Sequence, residues 1–186
     1  MSVRSSVLIV FVAALSMVAC RSSTLTGEFA GRATDTEYFT RYSLMYEKGK
    51  HYTTNYRVGV LLPANSKVTF VAGNNKRLKL RRENGTEVLI DNVAKHTGES
   101  MEQAFDKLLS PTPLDLEQFT EDEREAIALG QVRKGMSRDA VLTALGYPPV
   151  TGTPTLEQRT WKYWRSRWAT FLVVFDEQWL VSECPE

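Results

Sequence analysis

The sequence predicts an α+β protein with a β-rich N-terminal half and a C-terminal half of two helices and three strands. Three observations predict this class: β-branched and aromatic runs that end at turn residues, amphipathic runs that open at Ser or Thr, and apolar runs near the C-terminus. The length of 186 residues suits one or two small domains. We expect a signal peptide over residues 1–19, a flexible tether that begins at Cys20 and covers 20–36, a β-rich domain with a final helix over 37–110, and a second domain over 111–186.

In the N-terminal half, strands are predicted in "TNYRVGVLLP" and "SKVTFVA", and a hairpin in "NKRLKLRRENGTEVLID". Leu78 and Leu80 alternate with cations along the hairpin, and Asn84-Gly85 supplies the positive φ angles of a tight turn. A helix follows, capped by Ser100 with Gln103 at capping-box spacing. The prolines of "SPTP" end this helix, because proline cannot continue it.

The C-terminal half shows its helix boundaries clearly. Thr120 and Glu123 form a second capping box, and Gly130 is placed to close that helix in the left-handed conformation. Ser137 caps another helix, which Gly146 and the prolines after it bring to an end. The apolar runs "RTWKYW", "ATFLVVF" and "WLVSE" then predict a three-stranded antiparallel meander.

The N-terminus has the three-part plan of a secretory signal. Arg4 precedes an uncharged apolar run over residues 7–19, which is short for a membrane span. The run ends in "MVAC", which resembles a bacterial lipobox. By that resemblance the chain is cut before Cys20, and the new N-terminus becomes a lipoprotein anchor carrying diacylglycerol and palmitate. Arg21 then favours the outer membrane over the inner one. The alternative is an uncleaved membrane anchor helix in which Cys20 is a passenger.

The composition and motifs exclude several function classes. The chain has 23 basic and 22 acidic residues, a balance that argues against a nucleic-acid binder. No catalytic or phosphate-binding motif is present, so we expect no enzyme activity and no cofactor. The two histidines, His51 and His96, lie in separate segments, and we expect them to bind no metal. If Cys20 carries lipid, Cys184 is either a tolerated thiol in the last strand or the site of an intermolecular disulfide.

The C-terminal half contains the stretch "VRKGMSRDAVLTALGYPP", followed by "WKYW" and "FDEQWLV". This series of motifs resembles the SmpA/OmlA family of BamE-like outer-membrane lipoproteins, and the resemblance covers residues 117–183. It implies two helices packed on the meander, a location facing the periplasm, and a protein partner. "GVLLPANSKVTFV" in the other half weakly resembles bacterial SH3-like modules. The family's motif positions are matched by Val132, Gly135, Met136, Ser137, Val141, Leu145, Gly146, Pro148, Trp161, Tyr163 and Phe175.

The stretch "WKYWRSRW" is the first candidate for partner binding, since aromatic residues and arginine are enriched at interface hot spots. Strand alternation puts Trp161 and Tyr163 on one side of the sheet and Trp164 on the other. If the first two are core residues, the contacts fall to Trp164, Arg165 and Arg167.

The basic side of the predicted hairpin is the second candidate for partner binding. Arg77, Lys79 and Arg81, with Arg82 beside them, could meet anionic headgroups or an acidic partner. Alternatively, they form a solvated strand face that discourages aggregation.

We therefore expect a non-catalytic envelope lipoprotein that acts as a scaffold or adaptor for a partner protein. The main alternative is a lipoprotein that binds peptidoglycan or another ligand through an SH3-like N-terminal domain. A diffusible inhibitor of an enzyme is a third interpretation, which the lipobox disfavours.

Overall fold

The computed structural model describes residue 25 and residues 27–185. The predicted signal peptide, Cys20 and the start of the predicted tether lie outside the described residues. The described chain is a mixed α+β protein, as the sequence predicts. Its N-terminal strands are β1 (Thr36–Thr40), β2 (Leu44–Tyr46), β3 (Lys50–Tyr52), β4 (Val60–Leu62), β5 (Lys67–Gly73), β6 (Arg77–Arg82) and β7 (Glu87–Asp91). The helices α1 (Ala94–Thr97) and α2 (Met101–Leu108) and the short strand β8 (Leu109–Ser110) follow.

Six of these strands form one sheet in the order β3-β7-β6-β5-β1-β8, and β2 pairs separately with β4. All neighbours in the sheet are antiparallel except β3 and β7. The apolar side of α2 covers the sheet, and Phe105 is its central contact. The Phe105 ring meets Tyr38 and Phe70 edge to face, at centroid distances of 5.1 and 5.6 Å. Such contacts add to the apolar area that the helix buries.

The β6–β7 hairpin forms where predicted, but its turn differs from the predicted two-residue turn. Among the two turn residues, only Gly85 has a positive φ, 81°. Its amide donates to the Arg82 carbonyl at 2.9 Å, and the Arg82 amide donates to the Thr86 carbonyl at 2.9 Å. This is a three-residue loop that ends in a left-handed glycine. The Asn84 side chain instead accepts a hydrogen bond from the Thr86 amide.

The folded part begins before the predicted end of the tether at residue 36. Phe29 lies 6.5 Å from the Phe105 ring, and the Arg32 guanidinium stacks 4.6 Å from the same ring. Arg32 also donates to the Asp106 carboxylate at 2.5 Å. Residues 29–32 therefore pack against α2 through one phenylalanine and one arginine. The small, polar residues around these two led the sequence analysis to predict a tether instead.

The C-terminal half contains α3 (Glu121–Leu129), α4 (Arg138–Leu145), β9 (Thr160–Trp164), β10 (Thr170–Phe175) and β11 (Val181–Glu183). The strands form an antiparallel meander in the order β11-β10-β9, as predicted. The capping boxes at Ser100 and Thr120 and the cap at Ser137 are confirmed. Gly130 closes α3 in the left-handed conformation, with φ of 62°.

The predicted alternation along β9 is confirmed at its two core positions. Trp161 and Tyr163 are both 0% exposed and pack with Val141 and Phe175 in the C-terminal core. Trp164 points to the other side of the sheet and is half-buried. The described chain has two hydrophobic cores, which are formed by different parts of the sequence. The buried residues of one core lie between residues 44 and 109, and those of the other lie between residues 119 and 181.

Hydrogen bonds join the two halves at the C-terminal ends of α3 and α4. Arg57, in the loop before β4, donates to the Gly130 carbonyl at 3.0 Å and to the Leu145 carbonyl at 3.2 Å. The Asn55 amide donates to the same Leu145 carbonyl at 2.5 Å. The Ser43 hydroxyl donates to the Ile127 carbonyl at 3.2 Å. These donors satisfy carbonyls that a helix end leaves without partners, and the Arg57 charge suits the negative ends of two helix dipoles.

Within residue 25 and residues 27–185, no helix combines the length and the hydropathy that a bilayer crossing requires.

Candidate functional site

The β9–β10 hairpin carries the most exposed aromatic side chain of the described part. The strands end at the pair formed by Trp164 and Thr170, and residues 165–169 form the turn. Within that turn, the Arg165 amide donates to the Ala169 carbonyl at 2.8 Å. Trp168 is 85% exposed, and the Arg167 guanidinium lies 5.0 Å from its ring. A large indole held in water beside arginines is the side-chain combination enriched at binding hot spots.

Sequence reasoning placed the contacts at Trp164, Arg165 and Arg167 and missed Trp168. Trp168 lies beyond the paired residues of β9, so strand alternation does not govern it. The signal that could have found it is the polar "RSR" sequence before it, which is typical of a turn rather than a strand. Arg165 and Arg167 are exposed, as expected for contact residues.

Trp164 is half-buried, because its indole packs against neighbouring residues of the fold. A Cβ added at Gly152 would lie 2.5 Å from its ring, so the indole packs against the backbone of that loop. Lys162 covers the ring at 5.4 Å, and the Trp164 carbonyl accepts a hydrogen bond from the Arg57 amide at 2.9 Å. Its indole therefore offers a partner only part of its surface.

The basic side of β6 is charge-balanced. Arg77 binds Asp91 at 2.5 Å, and Lys79 binds Glu87 at 3.0 Å. Arg81 reaches Asp35, 2.9 Å away. The sheet thus brings a carboxylate to each of the three predicted binding cations. Each carboxylate partly neutralises its cation, so the attraction of these three cations for an anionic partner is reduced. This arrangement favours the alternative prediction, that of a solvated strand face.

An open cleft of about 740 Å³ lies between the two halves, next to the β9–β10 hairpin. Met45 and Arg57 contribute from the N-terminal half, and Leu129, Arg133, Arg165 and Phe171 are among the residues of the C-terminal half. The volume falls in the range of ligand-binding clefts, which commonly form at domain interfaces. Arg57 is occupied by helix carbonyls here, and burial lowers its pKa to about 10.

Cys184 also lines this cleft and is half-buried. Its thiol lies 3.8 Å from the Val132 carbonyl. Burial raises its pKa, although the charge of Lys134 acts in the opposite direction. A thiol with a raised pKa is a poor nucleophile at neutral pH.

A smaller cavity of about 160 Å³ lies between α2 and the loop after α4. Tyr42, Asn55 and Tyr147 line it, and Lys107 stacks 4.4 Å from the Tyr147 ring while pairing with Glu99. The Asn55 side-chain oxygen is buried without a hydrogen-bond partner among the described residues. A cavity of this size with a buried acceptor can hold ordered water.

Neither histidine belongs to a cluster of potential metal ligands in the described part of the chain. His51 is 2% exposed on β3, and its Nδ1 lies 2.8 Å from the Met45 carbonyl. Burial lowers its pKa to about 4, the Met45 hydrogen bond opposes this shift, and the charge of Arg57 adds to it. Within residue 25 and residues 27–185, no three His, Cys, Asp or Glu side chains cluster in a way that could hold a metal ion.

Comparison with known proteins gives no match at any level. No family model, no curated protein and no solved structure matches this chain.

Proposed function

We propose that this chain is a non-catalytic lipoprotein of the bacterial cell envelope that binds a partner protein through the β9–β10 hairpin. The carrying observation is Trp168, whose indole is 85% exposed and stacked by Arg167 at the tip of that hairpin. Exposing an indole costs solvation free energy, and a partner that covers it recovers that free energy. The "MVAC" pattern supports the proposed lipid anchor at Cys20. The proposed location is the outer membrane, facing the periplasm.

The finer fold assignment belongs to the same proposal. Two capped helices followed by a three-stranded meander agree with the element order of the SmpA/OmlA resemblance. The N-terminal sheet with its covering helix is proposed as the SH3-like module. The proposed role is in outer-membrane assembly or envelope integrity.

The anchor is tested by the intact mass of the wild type and of Cys20→Ser, expressed in a Gram-negative host. We expect a mature chain that begins at Cys20, is heavier by its acyl groups and fractionates with membranes. The Cys20→Ser chain should lose both the added mass and the membrane association. An uncut wild-type chain in the inner membrane, or an unmodified soluble one, would refute the lipoprotein assignment.

The binding surface is tested by a photo-reactive amino acid at position 168, with cross-linking in intact cells. The matched control carries the same amino acid at Glu83, which is exposed in the β6–β7 turn. We expect a discrete cross-linked protein from position 168 and none from position 83. Trp168→Ala should weaken capture of that protein yet change the free energy of unfolding by less than about 0.5 kcal/mol, because the side chain is exposed. Equal products from both positions would contradict the assignment.

One observation favours peptidoglycan binding as a second candidate. Tyr52 and Tyr56 lie 6.3 Å apart along a pocket of about 310 Å³ in the N-terminal half, and Tyr52 is exposed. Aromatic rings of this kind could stack on sugar rings. Co-sedimentation with purified sacculi distinguishes the candidates: retention lost in Tyr52→Ala but kept in Trp168→Ala would support the peptidoglycan candidate.

A further inference from the structure

The cleft between the two halves differs in charge from the rest of the molecule. Four cations line it, namely Arg57, Arg133, Lys134 and Arg165, and no Asp or Glu among the described residues does. The whole chain is close to neutral, with 23 bases and 22 acids. The cleft therefore concentrates positive charge at one place, where low-dielectric walls strengthen its field.

Two of the four cations are available to a ligand. Arg57 donates to helix carbonyls, and Arg133 binds Glu125 at 2.9 Å. Lys134 and Arg165 are both exposed. Among the described residues, neither has a carboxylate within salt-bridge distance. They contrast with Arg77, Lys79 and Arg81 on the N-terminal sheet, each of which has a carboxylate partner.

The remaining wall of the cleft is apolar. Leu129 is 49% exposed at the end of α3. Val132 and Phe171 lie in the same wall, and Arg165 stacks 5.7 Å from the Phe171 ring. A ligand that covers Leu129 would remove apolar surface from water while its charged groups meet the cations.

We propose that this cleft binds an extended acidic segment of a partner protein, in which carboxylates alternate with bulky apolar side chains. Such a segment can cover Leu129 and Phe171 with its apolar side chains, while its carboxylates meet Lys134 and Arg165 beside them. A single acyl carboxylate fits less well, because one carboxylate leaves a cation unused and an acyl chain needs a more enclosed pocket. This inference rests on the proposed function, that the chain binds a protein, and it adds the partner's chemistry and a second contact surface.

The probe for this proposal is a labelled peptide of alternating Glu and Phe, measured by fluorescence anisotropy against the purified full chain. Peptides of alternating Lys and Phe and of alternating Glu and Ser are its controls. We expect the Glu-Phe peptide to bind and both controls to bind at least roughly tenfold more weakly, with an affinity that falls as salt is raised. Unlabelled palmitate should not displace the peptide.

Variants locate the binding on the protein. The double variant K134E/R165E should weaken binding by roughly tenfold or more, because two attractions become repulsions. Leu129→Ser should also weaken it. Both sets of side chains are exposed, and far-UV circular dichroism checks that the variants are folded. The matched control is Lys95→Glu, which reverses an exposed charge away from the cleft and should leave the affinity unchanged.

Three results would overturn the proposal: equal binding of the Lys-Phe peptide, equal losses in K134E/R165E and Lys95→Glu, or displacement of the peptide by palmitate. The last would assign the cleft to an acyl ligand. Each leaves the cross-linking at position 168 untouched, so the proposed function would survive the failure of this inference. If cross-linking at position 168 also found no partner, both would fail.

Discussion

Arg57 joins parts of the chain that lie far apart in the sequence. Its guanidinium bonds to carbonyls 73 and 88 residues away, at the ends of α3 and α4. No local pattern distinguishes it from the other arginines, because its partners are backbone groups that become neighbours only after folding. The role of Arg57 could therefore not be predicted from the sequence, although the ends of α3 and α4, to which it donates, could be predicted.

Arg57→Met is expected to reduce the free energy of unfolding by about 3 kcal/mol, since several carbonyls lose a charge-assisted donor in a poorly solvated place. Arg57→Lys keeps the charge but not the fork of donors, and should cost less than Arg57→Met. Urea denaturation measures both. Arg167→Met, at the exposed hairpin tip, is the control and should change stability little; an equal loss there would contradict the assigned role.

His51 makes stability depend on pH. The folded state holds its pKa near 4, below the ordinary value of 6.5, so the unfolded chain takes up a proton first as the pH falls. The contribution of neutral His51 to the free energy of unfolding is therefore complete above pH 6.5. About 3 kcal/mol of it is lost as the pH falls from 6.5 to 4. Denaturation over this range should show a shallower slope for His51→Gln than for the wild type. Parallel slopes for His51→Gln and the wild type would refute the interpretation.

At the scale of elements, α3 and α4 are joined by one carboxylate. The Glu123 side chain accepts from the Thr120 amide at 3.0 Å within its own capping box, and from the Ser137 amide at 2.8 Å at the start of α4. Burial raises its pKa, but the hydrogen bonds to Ser137 and Thr120 together outweigh burial and lower it. One side chain thus fixes where both helices begin.

Glu123→Gln should cost about 1–2 kcal/mol of stability, because the amide replaces one accepting oxygen with a donor that faces other donors. Glu121→Gln, in the exposed first turn of the same helix, is the matched control and should cost less. The difference in the free energy of unfolding between wild type and Glu123→Gln should shrink as the pH falls. The Glu123 pKa is lower in the folded chain than in the unfolded chain, so the carboxylate stabilises the fold while it is ionised. This stabilisation is lost as the pH falls through the folded-state pKa and the carboxylate takes up a proton. A constant difference down to acid pH would contradict this explanation.

The elements show which parts of the fold the sequence could predict. Ser100, Thr120 and Ser137 cap the helices with bonds to residues three positions away, so their patterns are visible in the sequence. The burial of Trp161 follows from strand alternation in the same way. The cleft could not be predicted, because Met45 and Phe171 come to line it only when the two halves pack together. Trp168 could not be predicted either, because it lies outside any periodic element.

At the scale of the whole molecule, the two cores are separate, yet the bonds of Ser43, Asn55 and Arg57 cross between them. We expect the halves to unfold together in the wild type. All four tryptophans lie between residues 161 and 179, so tryptophan fluorescence reports the C-terminal half, whereas far-UV circular dichroism reports both. The two urea transitions should coincide for the wild type and separate for Arg57→Met. Separate wild-type transitions would show independent halves.

The contact of Phe29 with α2 would limit how far a membrane-anchored form of the protein could extend from its membrane. If Cys20 is the lipid attachment point, the chain between it and Phe29 can span at most about 30 Å, even when fully stretched. In that case this segment is comparable in length to the thickness of a bilayer core, and α2 would be on the tethered side of the molecule. The protein would then stay close to its membrane, and a partner would have to come to that surface to be bound.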